Sequence, residues 1–528
     1  MPQRLRPVTG GRAICGRAGV RAVCVALSTM ALTGCAAFRS YNTEMTQTVS
    51  TAASGRVEAA IAALQARSKE TGKDLLYHFE LGELQRLLAR YAASQTAWSA
   101  AEAQVLAWED AARADPARVA GVALSYIIND KLRPYEGQDY EKVMLTTRMA
   151  MNDLGEGQWQ NARVAIKRTH EREAVIAAVR RHEQQQIEEE ARKRGATVSY
   201  KDLHGYPVQT IDNPAVNALR NSYQSAFSHY LAGFIYEALG EPSLAAAGYR
   251  QAIELHPNVP ALEEALAGLD LRVAAPDDGK TDVLFEIETG LVPARVSRQF
   301  NLPVPINERW VLVSASFPVL VDEEPGVVPS QLRIEGSAPL VPVPITSVDA
   351  MARKALQDEM PGIILRTVIR SLVKATAQYQ AQRAASKKRD KGDDVAGALL
   401  DLTAAALAIG GAVTEKADER SWRSLPATIS IARARLPRGH HRIELDTVVG
   451  RKAVDVDVAG RYALISLRLM GGNLFAMLPQ APLAGANPAL DSGSAVAGAP
   501  PPGAASRVVA RMAESTLGSM FKPEEWMP

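Results

Sequence analysis

The chain has 528 residues, of which 47% are apolar and 22% charged, and its formal net charge is +2. A chain of this length can build several hydrophobic cores, typically about three domains. The near-neutral balance of charge gives no electrostatic indication of nucleic-acid binding.

The first 34 residues are typical of a secretory leader. They contain five arginines and no acidic residue, and end in the apolar run AVCVALSTMAL at 22–32. That run is about half the length that spans a bilayer, so we interpret 1–34 as a cleaved signal peptide. Its removal would leave 55 basic against 58 acidic residues, a net charge of about −3.

Cys35 ends the sequence LTGC, which resembles the lipobox of bacterial lipoproteins. Cys15 and Cys24 lie in the leader, so Cys35 would be the only mature cysteine and could form no internal disulfide. The resemblance implies a diacylglycerol on the Cys35 sulfur and acyl chains such as palmitate in the membrane. Ala36 stands where an aspartate would signal inner-membrane retention, which favours the outer membrane. The alternative is an ordinary secretory leader followed by an incidental cysteine.

Residues 35–54 are polar and lack hydrophobic periodicity, which predicts a tether between lipid and body. From 55 to 275, apolar residues recur at i, i+3 and i+4, which predicts an all-helical domain. Within it, YLAGFIYEALGEPSLAAAGYRQAIELHPN at 230–258 resembles a tetratricopeptide repeat. Small residues let two antiparallel helices approach, a glycine permits the reversal, and aromatic side chains fill the groove.

Weaker copies of this pattern lie at 81–98 and 149–166, although Arg90 stands where the turn glycine is expected. Such hairpins stack, because none can bury its apolar face alone; the alternative is an irregular helical array. The predicted packing positions are Leu81, Gly82, Tyr91, Gly157, Trp159, Ala162, Gly233, Tyr236, Gly240, Ala245, Tyr249, Ala252 and Pro257. The stretch 160–195 is longer than a repeat helix, and its charged second half predicts a solvated projection or, alternatively, a docking arm.

Alternating apolar and polar residues predict a β domain in two parts, 276–346 and 421–475, with about eight strands in a sandwich. Between the parts, 347–420 is predicted to be helical, with a second helix starting at Pro361. The apolar run 395–413 is interpreted as a buried helix, because Asp401 would be costly in lipid. The tail at 476–528 is of low complexity, with a possible short helix. The predicted fold class is α+β: a tetratricopeptide-like helical array, then a β-sandwich-like domain with a helical insertion.

No spacing of residues indicates a catalytic or metal centre. His440 and His441 are adjacent, so on a strand they face opposite sides, and no HExxH or CxxC sequence is present. Asp455 and Asp457, and the acidic stretch 322–325, could act as an acid/base pair or as calcium ligands, but we interpret them as solvent-facing. The sequence predicts no catalytic residue, no metal site and no cofactor.

Three stretches resemble a poorly characterised family of Gram-negative outer-membrane lipoproteins with tetratricopeptide repeats: RPYEGQDYEKVM (133–144), SAFSHYLAGFIYEALGE (225–241) and ADERSWRSLPATISIARARLPRG (417–439). The resemblance implies a periplasm-facing protein that acts by binding. We therefore expect a lipid-anchored adaptor that binds envelope proteins or peptides in the groove of its repeats, not an enzyme. The alternative is an enzyme or polysaccharide-handling factor of the cell envelope that uses the β domain.

Overall fold

Among the described residues, helices make up the amino-terminal part of the protein, and strands together with one long helix make up the carboxyl-terminal part. The computed structural model describes residues 41–125, 134–196, 198–306, 309–389 and 416–480. The predicted fold class, α+β with the helices first, is confirmed. The helices are α1 Tyr41–Ala53, α2 Val57–Thr71, α3 Leu75–Leu87, α4 Tyr91–Ala114, α5 Pro116–Ser125, α6 Asp139–Gly155, α7 Trp159–Arg194, α8 Pro214–Asn217, α9 Ala226–Ala238, α10 Pro242–Leu255, α11 Pro260–Ala267, α12 Leu269–Ala274 and α13 Val348–Arg389.

The strands form three sheets. They are β1 Lys280–Thr289, β2 Ala294–Ile306, β3 Arg309–Val321, β4 Gln331–Ile334, β5 Val343–Ser347, β6 Thr428–Pro437, β7 Gly439–Thr447, β8 Gly450–Val458, β9 Tyr462–Met470 and β10 Asn473–Met477. The largest sheet has the order β10-β9-β1-β6-β5, in which only β1 and β9 are parallel among the described strands. The others are the ribbon β2-β3 and the sheet β4-β7-β8.

The five-stranded sheet is covered on both faces. Val283, Phe285 and Ile287 of β1 pack against apolar residues of β4, β7 and β8. Leu284, between them in sequence, points to the helical side and joins the core of α3, α6 and α9. Because successive side chains of a strand face opposite ways, β1 is buried along nearly its whole length. The layers are therefore helices, a five-stranded sheet and a three-stranded sheet.

The segment predicted to be a tether is in large part a helix, so that prediction is wrong for residues 41–53. Met45, Val49 and Ala52 of α1 lie on one face of the helix and are buried against α2 and Met470. This narrow apolar stripe is hidden among polar residues, which explains why the sequence alone indicated no helix. Only residues 36–40 separate Cys35 from α1, and they lie outside the described residues, as does Cys35.

The long helix α7 has nearly the predicted bounds, but its second half is not a solvated arm. Ile187 and Ala191 are buried against Leu365 and Ile369 of α13. The two helices approach closely where Gly362 of α13 meets Ile187, since a methyl group there would lie 3.2 Å from the isoleucine side chain.

The insertion contains one helix of 42 residues, α13, which runs through Pro361. The prediction that a second helix begins at Pro361 is wrong. A proline inside a helix costs about 3 kcal/mol, but Met360, Ile364 and Val368 around it are almost fully buried beneath the β2-β3 ribbon, and their burial offsets the cost. The stretches 395–413 and 481–528 lie outside the described residues.

Candidate functional site

The hairpin α9–α10 is built as the sequence predicts. A methyl group on Gly233 would lie 2.5 Å from the Tyr249 ring, so the glycine makes room for the tyrosine. Gly240 turns the chain with a positive φ of 72°, a conformation that suits glycine. Ala245 and Ala252 are fully buried. Tyr236 is buried on α9, and Pro257 lies in the connection to α11.

The two upstream hairpins, α3–α4 and α6–α7, keep this packing in part. Gly82 and Ala162 lie at close helix contacts, and Gly157 forms a turn at φ 73°. In α3–α4 the left-handed turn residue is Ala89, at φ 53°, a strain of about 1 kcal/mol for a residue with a side chain.

Three further predicted packing residues make contacts beyond their own hairpin. Tyr91 donates from its hydroxyl to the Leu478 carbonyl oxygen at 2.7 Å, and Leu81 packs at the edge of the α1–α3 core. The Trp159 ring faces Phe234 at 6.1 Å and Tyr462 at 6.4 Å. These residues therefore serve the packing between hairpins and sheet.

The groove of the helical array is occupied by the protein itself. All 17 residues of α6 are buried, as are nearly all of α9. The Trp422 ring stacks on Phe79 at 4.5 Å and meets Trp98 edge-on at 6.0 Å. The prediction that this groove is open to a partner is therefore wrong for the described residues.

The segment that fills the groove, 421–425, is bound through its backbone by carboxylates of α3 and α6. Glu141 Oε1 accepts from the Trp422 N–H at 2.7 Å, and Glu80 Oε1 accepts from the Arg423 N–H at 2.6 Å. Burial raises the pKa of Glu80 to about 7. The segment 421–425 thus lies where a bound peptide would lie, but it belongs to the same chain.

A buried cluster of charge joins the same helices to the sheet. Its members are less than 2% exposed: Arg86 and Glu83 of α3, Arg148 of α6, Glu286 and Glu288 of β1, and Arg468 of β9.

Glu288 is the centre of the cluster. Its oxygens lie 2.6 Å from Arg148 Nη2, 3.3 Å from Arg86 Nη1 and 3.9 Å from Arg468 Nε. Burial alone would raise the pKa of Glu288, but the three guanidinium groups outweigh it and lower the pKa. Glu288 is therefore ionised at neutral pH.

Glu286 behaves in the opposite way. Its nearest cation is Arg86 Nη2 at 3.7 Å, and neither of its oxygens has a hydrogen-bond partner among the described residues. Burial and the neighbouring Glu288 charge raise the pKa of Glu286 well above its usual range. The pKa values of two glutamates on one face of one strand are thus shifted in opposite directions.

Another concavity in the described part of the chain is a cleft between α4, α5, α6, α7, β2 and α13. It has a mostly apolar compartment of about 410 Å³ and a polar one of about 110 Å³. Trp108, Val119, Pro134, Tyr135 and Glu136 line both. Sequence reasoning missed this cleft. The available signal was the stretch 133–144, which supplies Tyr135, Gly137, Gln138, Asp139 and Lys142 to its wall.

Ion pairs line the polar compartment. Lys142 Nζ lies 3.4 Å from Asp139 Oδ1 and 3.7 Å from the centre of the Trp108 ring. Asp139 also accepts from Arg180. Burial alone would raise the pKa of Asp139, but Arg180 and Lys142 outweigh it, so the pKa is lowered.

Arg295 of β2 is the group in this wall with unused hydrogen-bonding capacity. It is 6% exposed, and its Nη2 donates to Glu359 Oε2 at 2.8 Å. The Gln138 amide, oriented by its partners, accepts from Arg295 Nη1 at 3.0 Å and donates to Glu359. Arg295 Nε is buried without a partner among the described residues. A buried donor without an acceptor is unfavourable by about 1–3 kcal/mol, and the Nε atom is itself closed to solvent.

Within the described ranges, no three His, Cys, Asp or Glu side chains are grouped as metal ligands would be. No helix there combines the length and apolar character needed to cross a membrane. Comparisons with protein-family models, curated proteins and solved structures gave no match to this chain.

Proposed function

We propose that this protein is a lipid-anchored adaptor that binds other proteins of the cell envelope. The leader at 1–34 and LTGC at 32–35 support export and lipidation at Cys35. The resemblance to outer-membrane lipoproteins with tetratricopeptide repeats supports a periplasm-facing body on the outer membrane. The stacked helical hairpins support a role in binding.

The short distance between anchor and body is the observation that carries this proposal. Cys35 and Tyr41 are six residues apart, so the chain between them spans at most about 20 Å. Tyr41 starts α1, and its hydroxyl donates to the Ser421 carbonyl oxygen at 3.1 Å. A lipid on Cys35 would therefore hold the body close to the leaflet, as suits an adaptor for membrane-associated partners.

The filled helical groove changes where we expect a partner protein to bind. Because Trp422 and its neighbours fill the helical groove, a partner has to bind another surface. The cleft around Trp108 and Arg295 is a concave surface with both apolar and hydrogen-bonding walls.

Lipidation and partner binding are tested in cells that export the full chain. Cys35→Ala should release the protein from the membrane fraction, whereas Cys24→Ala, in the leader, should leave fractionation unchanged. Mass spectrometry of the native protein should find an acylated Cys35 at its amino terminus.

A photo-crosslinking residue at Arg118, on the rim of the cleft, should capture a defined envelope protein. The same residue at Val448, an exposed turn position, should not. An unmodified amino terminus would refute the anchor. Identical crosslinking at both positions would refute binding at the cleft.

A further inference from the structure

The turn between β7 and β8 exposes two apolar side chains. Val448 is 80% exposed and Val449 is 63% exposed, and the residues on either side of them, Thr447 and Gly450, pair across the hairpin. A two-residue hairpin turn usually contains Asn, Asp or Gly, whereas β-branched residues favour strands. The local structure of the turn therefore gives no reason for two valines there.

Two more exposed valines lie at the same end of the three-stranded sheet. Val327 precedes β4, and three residues later the Ser330 N–H donates to the carbonyl oxygen of Asp446, beside the turn, at 3.0 Å. Val341 follows the residue that bridges to Leu332, and the antiparallel bridge places it beside the start of β4. We name Val327, Val341, Val448 and Val449 the valine rim.

The amino-terminal end of α1 lies near the valine rim. Arg423 Nη1 donates to Asn42 Oδ1, and its Nη2 lies 2.5 Å from Glu323 Oε1. Glu323 is four residues before Val327, so the two are at most about 14 Å apart. Since the chain between Cys35 and α1 spans at most about 20 Å, a lipid on Cys35 would be held at this end of the molecule.

The charges around the valine rim are paired within the protein. Arg451, directly after the turn, lies 2.8 Å from Asp446. The acidic residues of the loop before β4 also have partners: Asp322 pairs with Arg353, Glu323 with Arg423, and Glu324 accepts from the Gly471 N–H. The rim can therefore approach a layer of lipid headgroups without bringing an unpaired charge out of water.

We propose that the valine rim is the surface that contacts the lipid leaflet, with the side chains of Val448 and Val449 inserted at the boundary between headgroups and acyl chains. This inference rests on the proposed lipid anchor. Two valines bury too little apolar surface to hold a protein on a membrane. The acyl chains supply the attachment, and the rim sets the orientation of the body on the leaflet.

Fluorescence on vesicles tests this orientation. The exported full-length protein, with dansylalanine at a chosen position, is attached through Cys35 to vesicles of phosphatidylethanolamine and phosphatidylglycerol. Acyl chains that the cell has added insert directly, and a maleimide lipid couples the thiol where it is free. The orientation is thus measured whatever the native state of Cys35, whereas mass spectrometry of the same protein decides the proposed anchor.

Dansylalanine in place of Val448 should emit at shorter wavelength after attachment and should be quenched by lipids brominated in their acyl chains. Leu271, which is 78% exposed, is the matched control. The neighbouring Arg272 carbonyl oxygen accepts from Arg461, which precedes β9 at the end of the sheet where β7 begins, whereas Val448 lies where β7 ends. Dansylalanine at Leu271 should keep its solution spectrum. Equal quenching at both positions, or none at Val448, would overturn the proposal and leave the anchor intact.

Aspartate substitutions test whether the turn itself is inserted. With dansylalanine at Val327, the double change Val448→Asp and Val449→Asp should abolish quenching by the brominated lipids, and Leu271→Asp should leave it unchanged. All three positions are exposed, so the fold does not depend on them. Persistent quenching in the double variant would refute insertion of the turn. A photo-crosslinking residue at Val448 should form adducts with lipid, and a defined protein adduct there would overturn the proposal in favour of a protein partner.

Discussion

The two glutamates of β1 give a sharp test of the buried charge cluster. Glu286→Gln and Glu288→Gln are the same chemical change, two residues apart on one strand, at side chains with no exposure. Burial and Glu288 raise the pKa of Glu286 well above its usual range, so we expect Glu286 to be neutral at pH 7 and an amide of the same shape to replace a neutral group. We expect Glu286→Gln to change the free energy of unfolding by less than about 1 kcal/mol.

Glu288→Gln should behave differently. It removes the negative charge that lies between Arg86, Arg148 and Arg468 and leaves buried guanidinium groups without their partner. Removing one member of a buried ion pair costs about 3–5 kcal/mol. Urea unfolding at pH 7, followed by far-ultraviolet circular dichroism, measures both variants. Equal destabilisation by the two changes would refute the assigned protonation states, and a harmless Glu288→Gln would refute the role of the cluster.

Two further predictions concern the helices. Gly248→Ala should destabilise the protein by about 1–3 kcal/mol, because the new methyl group would lie 2.7 Å from the Gly233 nitrogen. Gly121→Ala in α5 would place its methyl group at an ordinary distance of 3.5 Å from the Gln186 side chain of α7, so it should stabilise the protein by about 0.5–1 kcal/mol. Thermal unfolding distinguishes the two signs. His170 stacks on His229 at 4.5 Å, and burial, with the His229 charge, lowers the pKa of His170 to about 4. The unfolded chain, with an ordinary pKa near 6.5, then binds more protons between pH 6.5 and 4, so stability falls as pH falls through that window. His170→Phe should remove up to about 3 kcal/mol of this acid destabilisation, and an unchanged pH profile of urea unfolding would contradict the reasoning.

The sequence determined the features that depend on neighbouring residues. The apolar residues at helical spacing, the small residues beside Tyr249 and the turn at Gly240 all lie within 30 residues of sequence. The hairpin α9–α10 could therefore be predicted closely. Alternation of apolar residues likewise predicted β1 and β9. The apolar stripe of α1 was too narrow to recognise in the sequence. The rule that a helix does not continue through a proline failed at Pro361, because the burial of its neighbours offset the local cost of the proline.

Only the tertiary structure decided what the groove contains and where a ligand could bind. Arg86 meets Glu288 across 202 residues of sequence, and Trp422 meets Glu141 across 281. Local spacing carries no information about such pairs, because they are set by which faces of helices and sheet pack together. The cleft at Arg295 has the same origin, since its walls come from elements far apart in the chain. The sequence therefore identified the elements, but the packing between them determined which surfaces are covered and which are left open.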